Sequence, residues 1–558
     1  MSSRFVTPVE NARYFPGEGA GPAPALCVTL RFAQARMQTD PALVTPVISG
    51  RDARLFPQVS FSVLTVDGVL VPVPFGEMVR ESGAVSVASY WDVIVQFGRV
   101  WCEAGEDDGW ARAALPIMLV NDTENHAHQG LLSFRYKGDE IGEVRFQFVE
   151  QTAPYLLRQH FVAWGVTRAE RIGAGPDDPD ACVAAARAEL ASRLPSRPWS
   201  ALVAVVGSEA LAGFGGPLHP KWQVASALVK DGVLYYKQAD TRYGPYPYPL
   251  EMRFGVRSVM KSVGVPLALL RLAQVYGPYV LTLRVGDYVP GLDARYRAVQ
   301  FIDAANMASG LGGTGSWNTQ PNDINDGYLG GDYDAWYTAP SHEEKVAQIN
   351  KDLGAYPWQP GAVVRYRDQD FYLLGVAIDG FLKAARGADA DVWDMLRAEV
   401  FAPIGISRAP VIRTREADGR RGFAWFNAGY YPTLDELAKI ALLYQGLGAW
   451  NGQQILHRQL TEDLLSARDA LIKSGDGSLG ARPADDGGAL YKMGFHFNPY
   501  EGRHLPTMWG SGESEVVLYP NRLISIRIGK AAQLPPGERA FIEDGPLTAR
   551  VVERLTPF

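Results

Sequence analysis

Ser258-Val259-Met260-Lys261 sets a hydroxyl and an amine one helical turn apart inside an apolar segment. Read as a helix, Val259, Val263, Leu267 and Leu270 form one stripe that anchors the segment in a core. Ser258 and Lys261 then share a neighbouring face. A serine hydroxyl is a poor nucleophile until its proton is removed, and a partly desolvated lysine can be neutral enough to remove it. The S-x-x-K pattern recurs often by chance, so its weight depends on the motifs downstream of it in the chain. A helix N-cap serine beside a solvated lysine is the bland alternative. Pro266, inside the same segment, predicts a kink.

The elements that must position this pair fall into two textures. Residues 1–180 read as a β-rich accessory domain. Phe61 to Val66 and Val69 to Phe75 flank an Asp67-Gly68 turn, and Leu131 to Tyr136 and Val144 to Val149 alternate in the same way. Strands separated by Gly and Asp turns suggest a sandwich-like arrangement. Gly173 to Asp180 is the expected linker, followed by a helix over about 181–194. Residues 181–558 mix helix and strand. Val224 to Leu228 and Val233 to Lys237 flank Asp231-Gly232 as a hairpin, and Val516 to Tyr519 and Leu523 to Ile528 flank Pro520-Asn521 as another. Capping boxes at Ser341/Glu344 and Thr433/Glu436 open two helices, and a last helix is expected over 547–555.

Bulk properties bound the function. A chain of 558 residues is too long for one ordinary core. It is 47% hydrophobic and 21% charged, a globular composition. Its net charge of -7, without runs of Lys or Arg, argues against a nucleic-acid partner. Cys27, Cys102 and Cys182 are far apart and lack metal-ligand spacing, so they read as buried thiols. No signal-peptide pattern opens the chain, and the longest apolar stretch, Val263 to Val285, is too interrupted to span a membrane. A cytoplasmic protein is expected, with homo-oligomerisation open.

Four later features fall in order. Asp287 to Pro290 leads into Asn306-Met307-Ala308-Ser309-Gly310-Leu311. Pro360-Gly361 precedes Tyr366-Arg367-Asp368 and Phe371-Tyr372-Leu373-Leu374-Gly375. Ala428-Gly429-Tyr430-Tyr431-Pro432-Thr433 runs into Leu434 to Lys439. Trp509-Gly510-Ser511-Gly512 sits before the last hairpin. Over about 200–558 this order resembles the serine β-lactamase-like family, nearest its class C, esterase and D-amino-acid peptidase branch. The resemblance implies an α/β (α+β) fold: an antiparallel sheet flanked by helices, a helical lobe, and an active site between them. It also implies Ser258 as nucleophile, Lys261 as proton relay and Tyr366 as partner base. The oxyanion would be held by the amide of Ser258 and one from Ser511-Gly512. The route is a two-step acyl-enzyme without metal or cofactor, acting on a small ester or amide.

Two departures from the family pattern bear on substrate. Asp368 stands where asparagine is usual; a carboxylate there would keep Lys261 charged and shift the burden of base to Tyr366. Trp509 replaces a lysine or histidine that would pair with a substrate carboxylate, which favours neutral acyl substrates over β-lactams. Asp368 as a helix N-cap and Trp509 as a packing wall remain the plain readings. A peptidase, D-amino-acid amidase or β-lactamase on the same site is an alternative function, and a silent binding protein is another. Other candidates are weaker. His126 and His128 are a possible metal pair lacking a third ligand. The Asn/Asp-rich stretch 322–334, with Trp317 and Tyr328, could edge the site entrance. Asn121-Asp122-Thr123 is a formal glycosylation sequon.

Overall fold

The computed structural model describes residues 7–80, 87–103, 105, 108–313, 333–351, 353–356, 358–468, 471–472, 490–534, 537–541 and 547–558. Two large sheets organise the chain. The first takes 13 strands from the N-terminal part, including Cys27–Phe32, Val59–Val66, Ala111–Val120, His128–Lys137 and Val144–Gln151. All its pairings are antiparallel, and Val63, Leu115, Leu132 and Phe146 help fill its core. Its Val59–Val66 and Val69–Val73 hairpin turns on Asp67 and Gly68, both at positive φ, the conformation that lets a two-residue turn follow the strand twist.

The helix predicted after the linker spans Pro179–Ser192, where Asp178 caps it by accepting from the Ala181 amide at 2.9 Å. One expectation about side chains fails here. Cys27 is exposed, and Cys102 and Cys182 are only partly covered, because Cys27 opens a strand whose alternation turns it outward.

The second sheet has nine strands, ordered Ser196–Pro198, Val233–Lys237, Gln223–Lys230, Ile524–Gly529, Ser514–Leu518, Arg503–Gly510, Phe495–Tyr500, Leu490–Lys492 and Leu471–Ile472. It is antiparallel except where its first two strands pair. Helices flank it. Leu547–Leu555 and Trp199–Val206 share one apolar cluster with Leu228 and Val517. Val259–Tyr276 and Leu434–Gln445 lie in the main core with Val516 and Ile526. A lobe of further helices, among them Asp368–Arg386, packs on the same core. The architecture is thus mixed α/β, an antiparallel sheet between helices.

The helix Val259–Tyr276 passes through Pro266, which is buried. Proline leaves the carbonyl four residues earlier without its ladder partner. That carbonyl belongs to Ser262, and the Tyr444 hydroxyl donates to it at 2.7 Å. The helix therefore tolerates the proline because a neighbouring helix supplies the missing donor. Phe426 wedges between this helix and Asp368–Arg386: a β-carbon at Gly264 would lie 2.5 Å from its ring, and one at Gly375 2.3 Å. The two helices can approach only through glycine.

Candidate active site

Four side chains named in the sequence converge where the helix Val259–Tyr276 begins. Ser258 sits at its N-cap position, and its amide precedes the intrahelical ladder, so position alone leaves it able to serve an anion. Lys261 is 1% exposed, and its Nζ donates to Ser258 Oγ at 2.7 Å and to the Asn427 carbonyl at 2.9 Å. Asp368 Oδ1 lies 2.7 Å from the same nitrogen. An ammonium has three protons, and Ser258 Oγ, the Asn427 carbonyl and Asp368 Oδ1 lie in position to accept them. Asp368 is itself oriented by the Tyr333 hydroxyl, which donates to Oδ2 at 2.7 Å.

Tyr366 completes the cluster. Lys261 Nζ stands 5.0 Å from its ring centroid, and its hydroxyl lies within reach of both Ser258 and Lys261. The chain around it explains its aim. Arg365 and Arg367 are buried on either side, with the Arg365 amide donating to the Met307 carbonyl at 2.8 Å and its guanidinium stacked 4.7 Å from Trp358. Arg367 donates to the Tyr296 hydroxyl at 2.6 Å and to Asp370 Oδ1 at 2.9 Å. With its neighbours tied down, Tyr366 projects the other way. This gives the Asn306–Leu311 stretch a physical role, because Met307 is the anchor for the tyrosine loop.

The segment 427–433 does a comparable job. Asn427 gives its carbonyl to Lys261, Tyr431 gives its own to Arg253 at 2.7 Å, and Pro432 accepts from the Phe254 amide at 2.9 Å. A buried ion pair, Arg253 to Glu436 at 2.6 Å, closes that connection. Glu436 also belongs to the capping box with Thr433.

Electrostatics follow from this packing. Burial pushes the Lys261 amine down, but Asp368 and then Tyr366 outweigh it, and the amine is held above its ordinary value. Burial also raises the Tyr366 phenol; Lys261 opposes the rise and Asp368 adds to it. Asp368 is the first residue of its helix rather than a cap, so its charge faces the helix N-terminus as well as Lys261.

The Trp509-Gly510-Ser511-Gly512 stretch is divided. Gly510 ends the strand Arg503–Gly510 against the start of the Ser258 helix: a β-carbon there would lie 2.2 Å from the Val256 carbonyl and 3.3 Å from the Ser258 amide nitrogen. Trp509 is partly covered, 5.5 Å from the His496 ring, which in turn lies 6.1 Å from Tyr366. A run of ring contacts through His496 thus links Trp509 to the tyrosine. Ser511 is exposed in the following turn, and Gly512 packs toward Ala153 and Gly529.

Sequence reasoning missed Asn427, Tyr333, Asn125 and Arg257. The first contributes only a carbonyl, which no side-chain pattern reveals. His126 and His128 are fully buried, their rings 4.6 Å apart among Trp91 and Phe161. Among the described residues no group of three or more His, Cys, Asp or Glu is arranged to hold a metal. The sequon residue Asn121 is fully buried, which excludes a glycan in the folded chain. Trp317, Tyr328 and the stretch 322–332 lie outside the described residues; Asp334 is described and accepts from the Tyr155 hydroxyl at 2.7 Å. No described helix is long and apolar enough to cross a membrane.

No family model and no curated protein matches the chain. Solved structures similar to it include an octameric penicillin-binding protein homologue from Pyrococcus abyssi, at 18% identity over 61% of this chain and 74% of that one, TM-score 0.40. A penicillin-binding protein homologue from Caulobacter crescentus shares 15% identity over 62% of this chain and 94% of that one, TM-score 0.40. A D-stereospecific amidohydrolase from Streptomyces shares 15% identity over 59% of this chain and 92% of that one, TM-score 0.38.

Proposed function

We propose that this chain is a serine hydrolase that cleaves a small ester or amide through an acyl-enzyme on Ser258. The observation that carries the reading is the buried Lys261 ammonium, 2.7 Å from Ser258 Oγ and 2.7 Å from Asp368, with the Tyr366 phenol beside it. Because Asp368 holds Lys261 in its charged form, the lysine acts as a fixed positive charge, and Tyr366 is the proton acceptor. Once the phenol has lost its proton, Tyr366 Oη takes the proton of Ser258 as Oγ bonds to the acyl carbon. The carbonyl π electrons move to oxygen, where the Ser258 amide receives the charge. Collapse of the intermediate expels the alcohol or amine, which leaves with the proton held by Tyr366. Water repeats the sequence on the acyl-enzyme and releases the acid.

The substrate is a neutral acyl compound. The Lys261 charge is already balanced by Asp368, and the stretch before the last hairpin holds the indole of Trp509 rather than a cation. Those features support an ester or amide without a carboxylate to anchor. A fluorophosphonate probe and p-nitrophenyl acetate test the reading. The native chain should be labelled once and should turn over the ester, and Ser258→Ala should do neither. Labelling that persists in Ser258→Ala would remove the nucleophile and the proposal with it.

A further inference from the structure

Arg257, immediately before Ser258, has φ of +52°. A non-glycine residue avoids that conformation unless its surroundings impose it. The surroundings here come from loops that flank strands of the first sheet. The Asn125 side chain accepts the Arg257 amide at 2.6 Å through Oδ1 and donates to the Tyr430 carbonyl at 3.0 Å through Nδ2. The Arg257 guanidinium donates to the Ala153 carbonyl at 2.5 Å and stands 3.6 Å from Glu124. Two residues earlier, a β-carbon on Gly255 would meet the Asn125 carbonyl at 2.4 Å, so only glycine passes beneath it. Two residues earlier again, Gln129 donates to the Arg253 carbonyl at 2.6 Å. Residues 253, 255 and 257 thus all meet the segment 124–129, the loop that joins strand Ala111–Val120 to His128–Lys137 together with the start of the second strand.

Glu124 itself is fixed. It accepts from the Tyr90 hydroxyl at 2.8 Å and from the Tyr155 and Leu156 amides at 2.9 and 3.0 Å. The support is therefore rigid, and it is fully buried.

We propose that Asn125 is a positioning residue for Ser258: from the loop between two strands of the first sheet it holds Arg257 in the left-handed conformation that presents Ser258 Oγ to Lys261. Its consequence for catalysis rests on the hydrolase reading above, whereas its consequence for geometry does not.

The test uses the full chain and the rate of fluorophosphonate labelling in four proteins: native, Asn125→Ala, Arg257→Gly and the double variant. Glycine accepts positive φ unaided, so the need for Asn125 should vanish with it. Asn125→Ala should slow labelling about tenfold in the native background and less than about twofold in the Arg257→Gly background. Equal slowing in both backgrounds would overturn the proposal. If Asn125→Ala does not fold in the native background, the double variant carries the test: with Arg257→Gly it should fold and label within about twofold of Arg257→Gly alone, and failure to fold in both backgrounds would overturn the proposal. A crystal structure of Asn125→Ala should show Ser258 Oγ displaced from Lys261 Nζ, and an unmoved hydroxyl refutes positioning. Absence of labelling in the native chain counts against the hydrolase reading alone, and that crystal structure then decides the positioning claim.

Discussion

Asp368→Asn is the most direct probe of the proposed proton chemistry. It removes one negative charge 2.7 Å from Lys261 Nζ while keeping the side chain's shape. At that separation and an effective dielectric of about 20, Coulomb's law gives a gross attraction of about 6 kcal/mol. Both groups are buried, so solvent screening does little to reduce it. Desolvation offsets much of it, and a single charge at close range typically moves a neighbour's titration by about one to three pH units.

The direction follows from the geometry. The carboxylate raises both the Lys261 amine and the Tyr366 phenol, although for the phenol burial is the larger cause. The rising limb of kcat/KM with pH reports loss of the proton that arms Tyr366 in the free enzyme. Removing Asp368's charge lets that proton leave sooner, so the limb should shift toward acid by at least about one pH unit. The assay is the pH dependence of kcat/KM for p-nitrophenyl acetate, with Tyr366→Phe as the control that should abolish the limb. A limb that stays put or moves toward alkali in Asp368→Asn refutes the reasoning. A limb that survives in Tyr366→Phe returns the role of base to Lys261.

Gly510→Ala places a methyl 2.2 Å from the Val256 carbonyl, which forces either the strand or the Ser258 turn to move. Misplacement on the ångström scale should slow acylation by about a hundredfold, read as the labelling rate, and a native rate would show that the turn does not need the close approach. Glu436→Leu leaves Arg253 buried without its carboxylate and should cost about 3–5 kcal/mol in denaturant unfolding; adding Arg253→Met should recover most of that, and failure to recover would assign the loss to the capping box instead. Lys345 is buried with its amine donating to the Trp336 and Tyr337 carbonyls, and burial pushes it from 10.5 down to about 7. The unfolded chain then binds more protons than the folded one between those values, so stability should rise by about 1.4 kcal/mol per pH unit across that window. The rise should disappear in Lys345→Met, and parallel pH profiles of Tm for the two proteins would rule it out.

What could be read from the sequence was local. Asp67-Gly68 and Asp231-Gly232 announce their hairpins because a two-residue turn demands positive φ at both positions. Thr433 and Glu436 announce a helix because capping is a matter of three-residue spacing. Ser258 and Lys261 are visible as a pair for the same reason, being one turn apart. Tyr366 and Asp368 are reached only through resemblance, since nothing within their own stretch says that they face a lysine 105 and 107 positions earlier. At Pro266 the sequence shows that a ladder bond is lost but not what replaces it, because the Tyr444 hydroxyl that satisfies the Ser262 carbonyl comes from 182 residues away.

Arg257 carries that contrast furthest. Had the position been glycine, its left-handed backbone would have been legible and would have needed no help. As arginine it is illegible, and the conformation must be imposed by groups that the chain brings from 104 and 132 residues earlier. A strained residue of ordinary type therefore marks a dependence on distant structure. At this site the dependence joins the first sheet to the residue before Ser258. Separating the sheets should consequently disturb Ser258 before it disturbs Lys261, whose partners Asp368 and Asn427 both lie on the C-terminal side.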